Sequence, residues 1–234
     1  MIISASYKTD IPAFYGEWFQ NRLAAGFCRM VNPYNAAQHV TVSLEPGDVD
    51  GFIFWTKNVG PFRPVLPLVE RRGTPFIVQY TINGYPRALE SRVVDARRAV
   101  EHVRHLADRF GPKVAVWRYD TVLFSTLTDA DFHRRNFETL AVALEGSTDE
   151  VVVSFMQVYD KTRRNLGRAA SEHGFEWRDP PLEEKLALLS DLAAIAQSAL
   201  MKLTMCSQPE HVIPGVGVAR GGAGAGPDQG AGQG

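Results

Sequence analysis

The sequence has very little cysteine, no long hydrophobic run and almost no net charge. Its 234 residues include two cysteines, which are too few for a disulfide framework. No run approaches the roughly 20 apolar residues of a membrane span, and residues 1–4 lack the zones of a signal peptide. A net charge of −1 provides no global field that would attract nucleic acid or an anionic membrane. These absences predict a cytoplasmic protein with no membrane partner.

Metal-binding, phosphate-loop and dinucleotide motifs are also missing. The sequence has no His-Glu-x-x-His or paired-cysteine spacing, and no Gly-x-Gly-x-x-Gly follows a strand. His102 and His105 are three residues apart on a predicted helix, whose apolar stripe places them on the solvated side. Cys28 and Cys206 lie on predicted strands, where small core cysteines are commoner than ligands. We therefore expect no metal site.

Apolar strand-like runs alternate with helical patterns along most of the chain. Strands are predicted near residues 1–6, 27–31, 51–55, 75–82, 113–117, 151–155 and 202–206, and long helices at 91–110, 129–144 and 182–200. Strands that alternate with helices of this length imply parallel βαβ units, which right-handed crossovers curl into a barrel. We predict an α/β fold, a TIM-like parallel βα barrel or partial barrel, as one domain over residues 1–220. A doubly wound open sheet is the alternative.

The last 14 residues differ in composition from the rest. Residues 221–234 contain seven glycines and three alanines, with no aromatic or branched apolar side chain. Such a segment buries too little surface to offset the entropy of ordering it. We expect a disordered, low-complexity tail.

Polar side chains follow the predicted strands where each strand ends, most clearly in the run Gly51-Phe52-Ile53-Phe54-Trp55-Thr56-Lys57-Asn58. In a parallel barrel these ends share one mouth. The candidate catalytic residues are Asp10, Lys57, Arg118, Asp120 and Lys161. The candidate substrate-binding residues are Ser4, Ser6, Thr9, Trp55, Thr56, Asn58, Tyr119, Ser154 and Tyr159. Two carboxylates among three cations suit a polar or anionic small molecule and proton transfer. The alternative is structural, with Asp10 capping a helix and Arg118 pairing with Asp120.

A basic cluster follows the strand predicted near residues 151–155. Lys161, Arg163, Arg164 and Arg168 stand together, with Tyr159 and Asn165 among them. Such residues could contact the phosphates of a nucleic acid. A solvated helix face explains the cluster equally well.

Several motifs resemble those of one known family. They are Ile2-Ile3-Ser4-Ala5-Ser6 with residues 9–15, Phe54 to Asn58, Trp117 to Asp120, Ser154-Phe155 with Tyr159, Lys161 and Asn165, and Cys206-Ser207-Gln208-Pro209. In this order they resemble the uncharacterised-domain family numbered 1848, from the first residue to about Arg220. That family is similar to radical S-adenosylmethionine enzymes, including those that repair DNA photoproducts.

The resemblance implies a cofactor for which this sequence lacks the ligands. Full-length relatives are expected to carry a C-terminal Cys-x-x-x-Cys-x-x-Cys run that holds a four-iron–four-sulfur cluster, with S-adenosylmethionine bound at its open iron. After Arg220 the present sequence changes within one residue into the Gly-rich segment. We therefore expect no cofactor in this chain and hypothesise a truncated or frameshifted copy.

Three functions remain open from the sequence. The first is a barrel related to radical S-adenosylmethionine enzymes that binds a polar substrate without its cluster. The second is a cofactor-independent barrel lyase or hydrolase that uses Asp120 with Lys57 or Lys161. The third is a non-enzymatic nucleic-acid-binding module that uses the basic residues from Lys161 to Arg168.

Overall fold

The computed structural model describes residues 1–6, 9–32, 35–206, 208, 213 and 216–219. The strands are β1 Ile2–Ser4, β2 Phe27–Asn32, β3 Asn35–Ser43, β4 Gly51–Thr56, β5 Phe76–Thr81, β6 Ala115–Val122, β7 Phe124–Ser125, β8 Glu150–Phe155, β9 Trp177–Arg178, β10 Lys202–Cys206 and β11 Gly217–Ala219. The α-helices are α1 Ile11–Phe14, α2 Gly16–Ala25, α3 Leu66–Arg71, α4 Ala96–Phe110, α5 Ala130–Leu144, α6 Asp160–His173 and α7 Leu182–Ser198, and a short 3₁₀ helix covers Gly60–Phe62.

One parallel sheet organises the fold. Its strand order is β1-β4-β5-β6-β8-β10-β11, and every neighbouring pair is parallel. Helices separate the first six of these strands along the chain, and the short β11 adds a seventh at the edge. The predicted α/β class with parallel βα units is therefore confirmed.

Of the predicted barrel or partial barrel, a closed barrel is not observed. Within the described ranges, β1 and β11 are the two edges of the sheet and do not pair with each other, so the sheet stays open. The reason lies in β2, which the sequence suggested as a second barrel strand. This strand pairs antiparallel with β3 in a separate hairpin, which leaves fewer than the eight strands of a closed βα barrel. The strand order also runs in one direction without reversing, whereas a doubly wound sheet reverses at its switch point.

Alternation along the strands decides which side chains meet the helices. On β6, Trp117 and Tyr119 are fully buried, and the Trp117 ring stacks on Phe137 of α5 with 4.6 Å between ring centroids. Arg118 and Asp120 alternate with these two and so project from the opposite face of the sheet. We call that opposite face the inner face. The helix-covered face therefore holds Trp117 and Tyr119 in the apolar core, and the inner face carries Arg118 and Asp120 near the carboxyl end of β6.

The helix ends follow local capping chemistry. Asp95 accepts the backbone N–H of Arg98 at 3.0 Å and caps α4, and Asp129 accepts that of Phe132 at 2.7 Å and caps α5. The helix predicted from residue 91 therefore begins only after Asp95. His102, predicted on the solvated side of this helix, is instead buried, because its Nδ1 pairs with the hydroxyl of Tyr80 at 2.9 Å.

Two expectations concern the whole chain. The predicted tail, residues 221–234, lies outside the described residues. In the part of the chain that the structure does describe, no helix combines the length and the apolar character needed to cross a membrane.

Candidate functional site

Polar side chains meet on the inner face near the carboxyl ends of five neighbouring strands. The strand register brings Trp55 beside Gln79 and Asp120 beside Ser154. A break in the register between Asp120 and Val122 ends the regular pairing of β6 with β8 at this point. The set comprises Trp55 on β4, Gln79 on β5, Arg118 and Asp120 on β6, Ser154 on β8 and Cys206 on β10. We call this set, with the loops that follow the strands, the carboxyl-edge site.

Arg118 is the buried cation at the centre of the site. Its Nε and Nη2 donate to Oδ2 of Asp120 at 3.1 and 2.5 Å, and its guanidinium lies over the Trp55 ring, 4.5 Å from the centroid. Further donor contacts reach Gln79 and the Cys206 sulfur, each at 3.4 Å. Burial would lower the pKa of Arg118, but Asp120 and the contact with Cys206 outweigh burial and raise it. Arg118 is therefore a permanent charge in a fixed orientation.

Asp120 is held from several sides and still reaches solvent. Its second carboxylate oxygen accepts a hydrogen bond from the Ser154 hydroxyl. Its backbone is fixed by Asn83, which accepts the Asp120 N–H at 2.9 Å and donates to the Asp120 carbonyl at 3.2 Å. The Asp120 side chain is nevertheless 26% exposed, whereas that of Arg118 is 5% exposed. Asp120 is therefore an oriented carboxylate that a ligand can reach.

A second ion pair adjoins Asp120 through Asn83. Lys57 pairs with Glu90, and Nδ2 of Asn83 donates to the same Glu90 oxygen at 3.0 Å. These three residues line a cavity of ≈ 120 Å³, beside the start of α4. The Lys57 side chain is partly exposed, while that of Glu90 is mostly buried. The carboxyl edge thus presents the Lys57 ammonium and the Asp120 carboxylate to solvent, joined through Glu90 and Asn83 by a continuous hydrogen-bonded network.

Three predicted site residues serve the local backbone. Asp10 accepts the N–H of Ala13 through one oxygen and that of Lys57 through the other, each at 2.9 Å. Thr56 accepts the N–H of Asn58 at 2.8 Å, and Asn58 accepts that of Gly60 at 3.0 Å. Asp10 therefore caps α1 and ties it to the loop after β4, which is the structural alternative that the sequence left open. Thr56 and Asn58 shape that loop.

Other predicted residues lie apart from this network. Tyr119 is on the helix-covered face, where its hydroxyl pairs with Nδ1 of His133 at 2.8 Å, so its predicted place at the mouth is wrong. The cause is that β6 continues to Val122, and strand alternation turns Tyr119 away from Arg118 and Asp120. Tyr159 is 64% exposed, and Lys161 is exposed in the first turn of α6. Neither makes a recorded hydrogen bond or ion pair with the network among the described residues.

The three remaining predicted residues lie at the end of β1 or shortly after it. Ser4 and Thr9 are exposed. Ser6 is buried, and its hydroxyl has no hydrogen-bond partner among the described groups. They stay predictions without a contact that assigns them a role.

Four members of the site, Gln79, Asn83, Glu90 and Cys206, are absent from the candidate catalytic and substrate-binding residues. Gln79 carries the clearest signal, because a polar residue interrupts an otherwise apolar strand. Asn83 follows the same strand and was one of several strand-end polar residues. Glu90 lies in an irregular loop without periodicity, and Cys206 had been assigned to the core. For Glu90 and Cys206 no local pattern identifies the partner, since each contact joins residues far apart in the chain.

The fold and the site define a class of protein, and comparison identifies the family. The chain is a parallel α/β protein with a charged, hydrogen-bonded site at the carboxyl edge of its sheet. It belongs to the family described as Domain of unknown function (DUF1848), which it matches over residues 2–222. No curated protein and no solved structure matches it.

Proposed function

We propose that the carboxyl-edge site binds a small polar molecule that carries both a hydrogen-bond donor and an anionic group. The Asp120 carboxylate accepts a hydrogen bond from the donor group, and the Lys57 ammonium attracts the anionic group. The observation that carries the proposal is the Asp120 carboxylate, which Arg118 and Ser154 hold in place while 26% of its side chain stays exposed. Carboxyl edges of parallel sheets are the usual ligand-binding place in α/β proteins.

The charge balance of the site narrows the ligand class. Arg118 and Lys57 are each paired with a carboxylate. A purely anionic ligand would have to compete with those carboxylates for both cations. A ligand that also carries a hydrogen-bond donor gains a hydrogen bond to the Asp120 carboxylate. An amino acid or a hydroxy acid has both kinds of group. In such a complex Asp120 is also the group placed to accept a proton from the ligand.

The kinship with radical S-adenosylmethionine enzymes stays part of this proposal. A one-directional run of parallel strands with a polar carboxyl edge supports it. The donor set does not fit the cluster, because such a cluster takes three thiolates from one short segment. The sequence contains two cysteines, and one of them, Cys28, lies on the β2–β3 hairpin. Among the described residues no three His, Cys, Asp or Glu side chains form a metal-binding group.

A lysine nucleophile gains no support from the contacts. The ammonium of Lys57 is engaged in an ion pair with Glu90, whereas a lysine nucleophile needs an amine that is free to attack the substrate. Lys161 is exposed and makes no hydrogen bond or ion pair with the Asp120 network among the described residues. A lyase or hydrolase reaction would therefore depend on Asp120 as a base.

A thermal-shift screen with two matched variants tests the proposal. The panel contains amino acids, hydroxy acids, dicarboxylates and sugar phosphates, and saturation at 100 times Kd adds about 2.7 kcal/mol to the free energy of unfolding. We expect Asp120→Asn and Lys57→Gln to abolish the shift produced by the best ligand. Asp149→Asn is the control, because Asp149 is exposed before β8, at the opposite edge of the sheet. A ligand that stabilises all four proteins equally would contradict the proposal.

A further inference from the structure

A second cavity lies outside the carboxyl-edge site, between α2 and the start of β2. Its volume is ≈ 310 Å³, and its lining residues are Trp18, Arg22, Phe27, Cys28 and Arg29. None of these residues contributes to the network around Asp120. The cavity therefore needs its own explanation.

Local geometry directs the two arginines and two aromatic rings toward one place. Trp18 and Arg22 are four residues apart on α2 and share a helix face. Phe27 and Arg29 are two residues apart on β2 and share a strand face. The Arg29 guanidinium lies 5.7 Å from the centroid of the Phe27 ring. Cys28, between them, packs against the core.

The charge of this cavity is unbalanced. Its lining has two guanidiniums and no carboxylate, and neither arginine forms an ion pair among the described residues. The Nε of Arg22 is shielded from solvent and has no hydrogen-bond partner there. Buried donors are almost always paired in folded proteins. An unpaired buried donor on an uncompensated cation therefore indicates a place for an anionic acceptor.

The two rings indicate what the anion is attached to. Trp18 and Phe27 are 42% and 37% exposed, which leaves part of each large apolar ring open to solvent. A simple anion would leave these rings uncovered, and a purely apolar ligand would bury two unpaired charges. A planar, phosphorylated ligand would cover the two rings and also pair with the two guanidiniums, because aromatic rings stack on bases and guanidiniums bind phosphate oxygens.

We propose that this cavity binds a nucleotide unit. Arg22 and Arg29 contact the phosphate, and Trp18 with Phe27 stacks against the base. A free nucleotide and a single-stranded nucleic acid offer the same chemistry, and the two arms of the experiment distinguish them.

The test compares three probes by calorimetry at low salt: adenosine monophosphate, a short oligothymidylate and inorganic phosphate. We expect a nucleotide probe to bind at least about tenfold more tightly than phosphate. Arg22→Gln and Arg29→Gln should each weaken that binding about tenfold, because each removes a hydrogen bond to a charged group. Arg29 is exposed, so its variant is a safe readout if Arg22→Gln is poorly folded. Arg163→Gln on the exposed helix α6 is the matched control and should bind like the unmodified protein.

The outcomes separate the alternatives. Equal affinity for the mononucleotide and the oligomer identifies a free nucleotide as the ligand. Binding of the oligomer alone, weakened by Arg29→Gln, identifies a single strand. The proposal is overturned if no nucleotide probe binds, if phosphate binds as tightly, or if Arg29→Gln has no effect. It is also overturned if Arg163→Gln removes binding, because the basic cluster on α6 would then be the site.

Discussion

Acid is expected to weaken the fold through His133. Burial is the main reason why the pKa of His133 falls from its ordinary value of 6.5 to about 4. Two contacts hold the ring in place: Nδ1 pairs with the Tyr119 hydroxyl at 2.8 Å, and Nε2 lies 3.0 Å from the Leu123 carbonyl. Asn136 also donates to the Tyr119 hydroxyl, at 3.0 Å. Because Nε2 must donate to the carbonyl, Nδ1 accepts the hydroxyl proton of Tyr119 in a hydrogen bond. Protonating Nδ1 would place two hydrogens between these atoms, so the Tyr119 hydroxyl would have to rearrange.

The magnitude follows from the two pKa values of His133. Between pH 6.5 and about pH 4 the unfolded state binds a proton that the folded state does not. The free energy of unfolding therefore falls as the pH falls, by about 1.4 kcal/mol per pH unit. Over this whole pH range the free energy of unfolding falls by about 3 kcal/mol. Below the folded-state pKa of His133 the loss is complete. This is a large part of the about 5–15 kcal/mol that stabilises a typical domain.

Urea unfolding from neutral pH to pH 4 measures this loss directly. Carboxylates also titrate toward the acid end, so the informative quantity is the difference between the unmodified protein and His133→Gln. We expect the unmodified protein to lose about 3 kcal/mol more than this variant. His105→Gln is the control, because His105 is exposed on α4 and its replacement should leave the pH dependence unchanged. An NMR titration showing His133 protonated near pH 6.5 in the folded protein would refute the reasoning, even if the variant does not fold.

Two further predictions concern stability. Gly84→Ala should lower the free energy of unfolding by about 1–2 kcal/mol, since Gly84 has φ +63 and a Cβ there would lie 2.6 Å from Asn136. Chemical denaturation measures the loss. Gly47→Ala is the control, because nothing lies within 4 Å of its added Cβ. Equal losses of stability in the two variants would contradict the argument from the geometry at Gly84. Phe137→Ala should cost about 3–5 kcal/mol by leaving a cavity under Trp117. The same assay checks this value, and a loss below about 1 kcal/mol would mean that the Trp117–Phe137 stack is not part of a tightly packed core.

Local patterns predicted the elements that depend on local physics. The apolar run before Lys57 ends in a loop, as its polar residues indicated. Asp10 caps α1, which is the structural alternative that the sequence left open for this residue. The parallel α/β class followed from the alternation of strands and helices. In each case neighbouring residues determine the structure.

Features that depend on distant partners were not predicted. The sequence predicted a strand over residues 113–117, but β6 continues to Val122, and Arg118 pairs with Asp120 within it. That extension reverses the expected direction of Tyr119. Likewise, β2 has an ordinary strand pattern, and the pattern does not reveal that β3 is its partner. His102 is buried because Tyr80 satisfies its ring, which helical periodicity cannot show.

The most direct test of the central claim is the carboxyl carbon signal of Asp120. In protein labelled with ¹³C at aspartate, the signal is followed while the best ligand of the thermal-shift screen is added. The account predicts a saturable change in the Asp120 signal and none in that of Asp149, which is exposed at the opposite edge of the sheet. An unchanged Asp120 signal at saturating ligand would contradict the assignment of the ligand to the carboxyl edge.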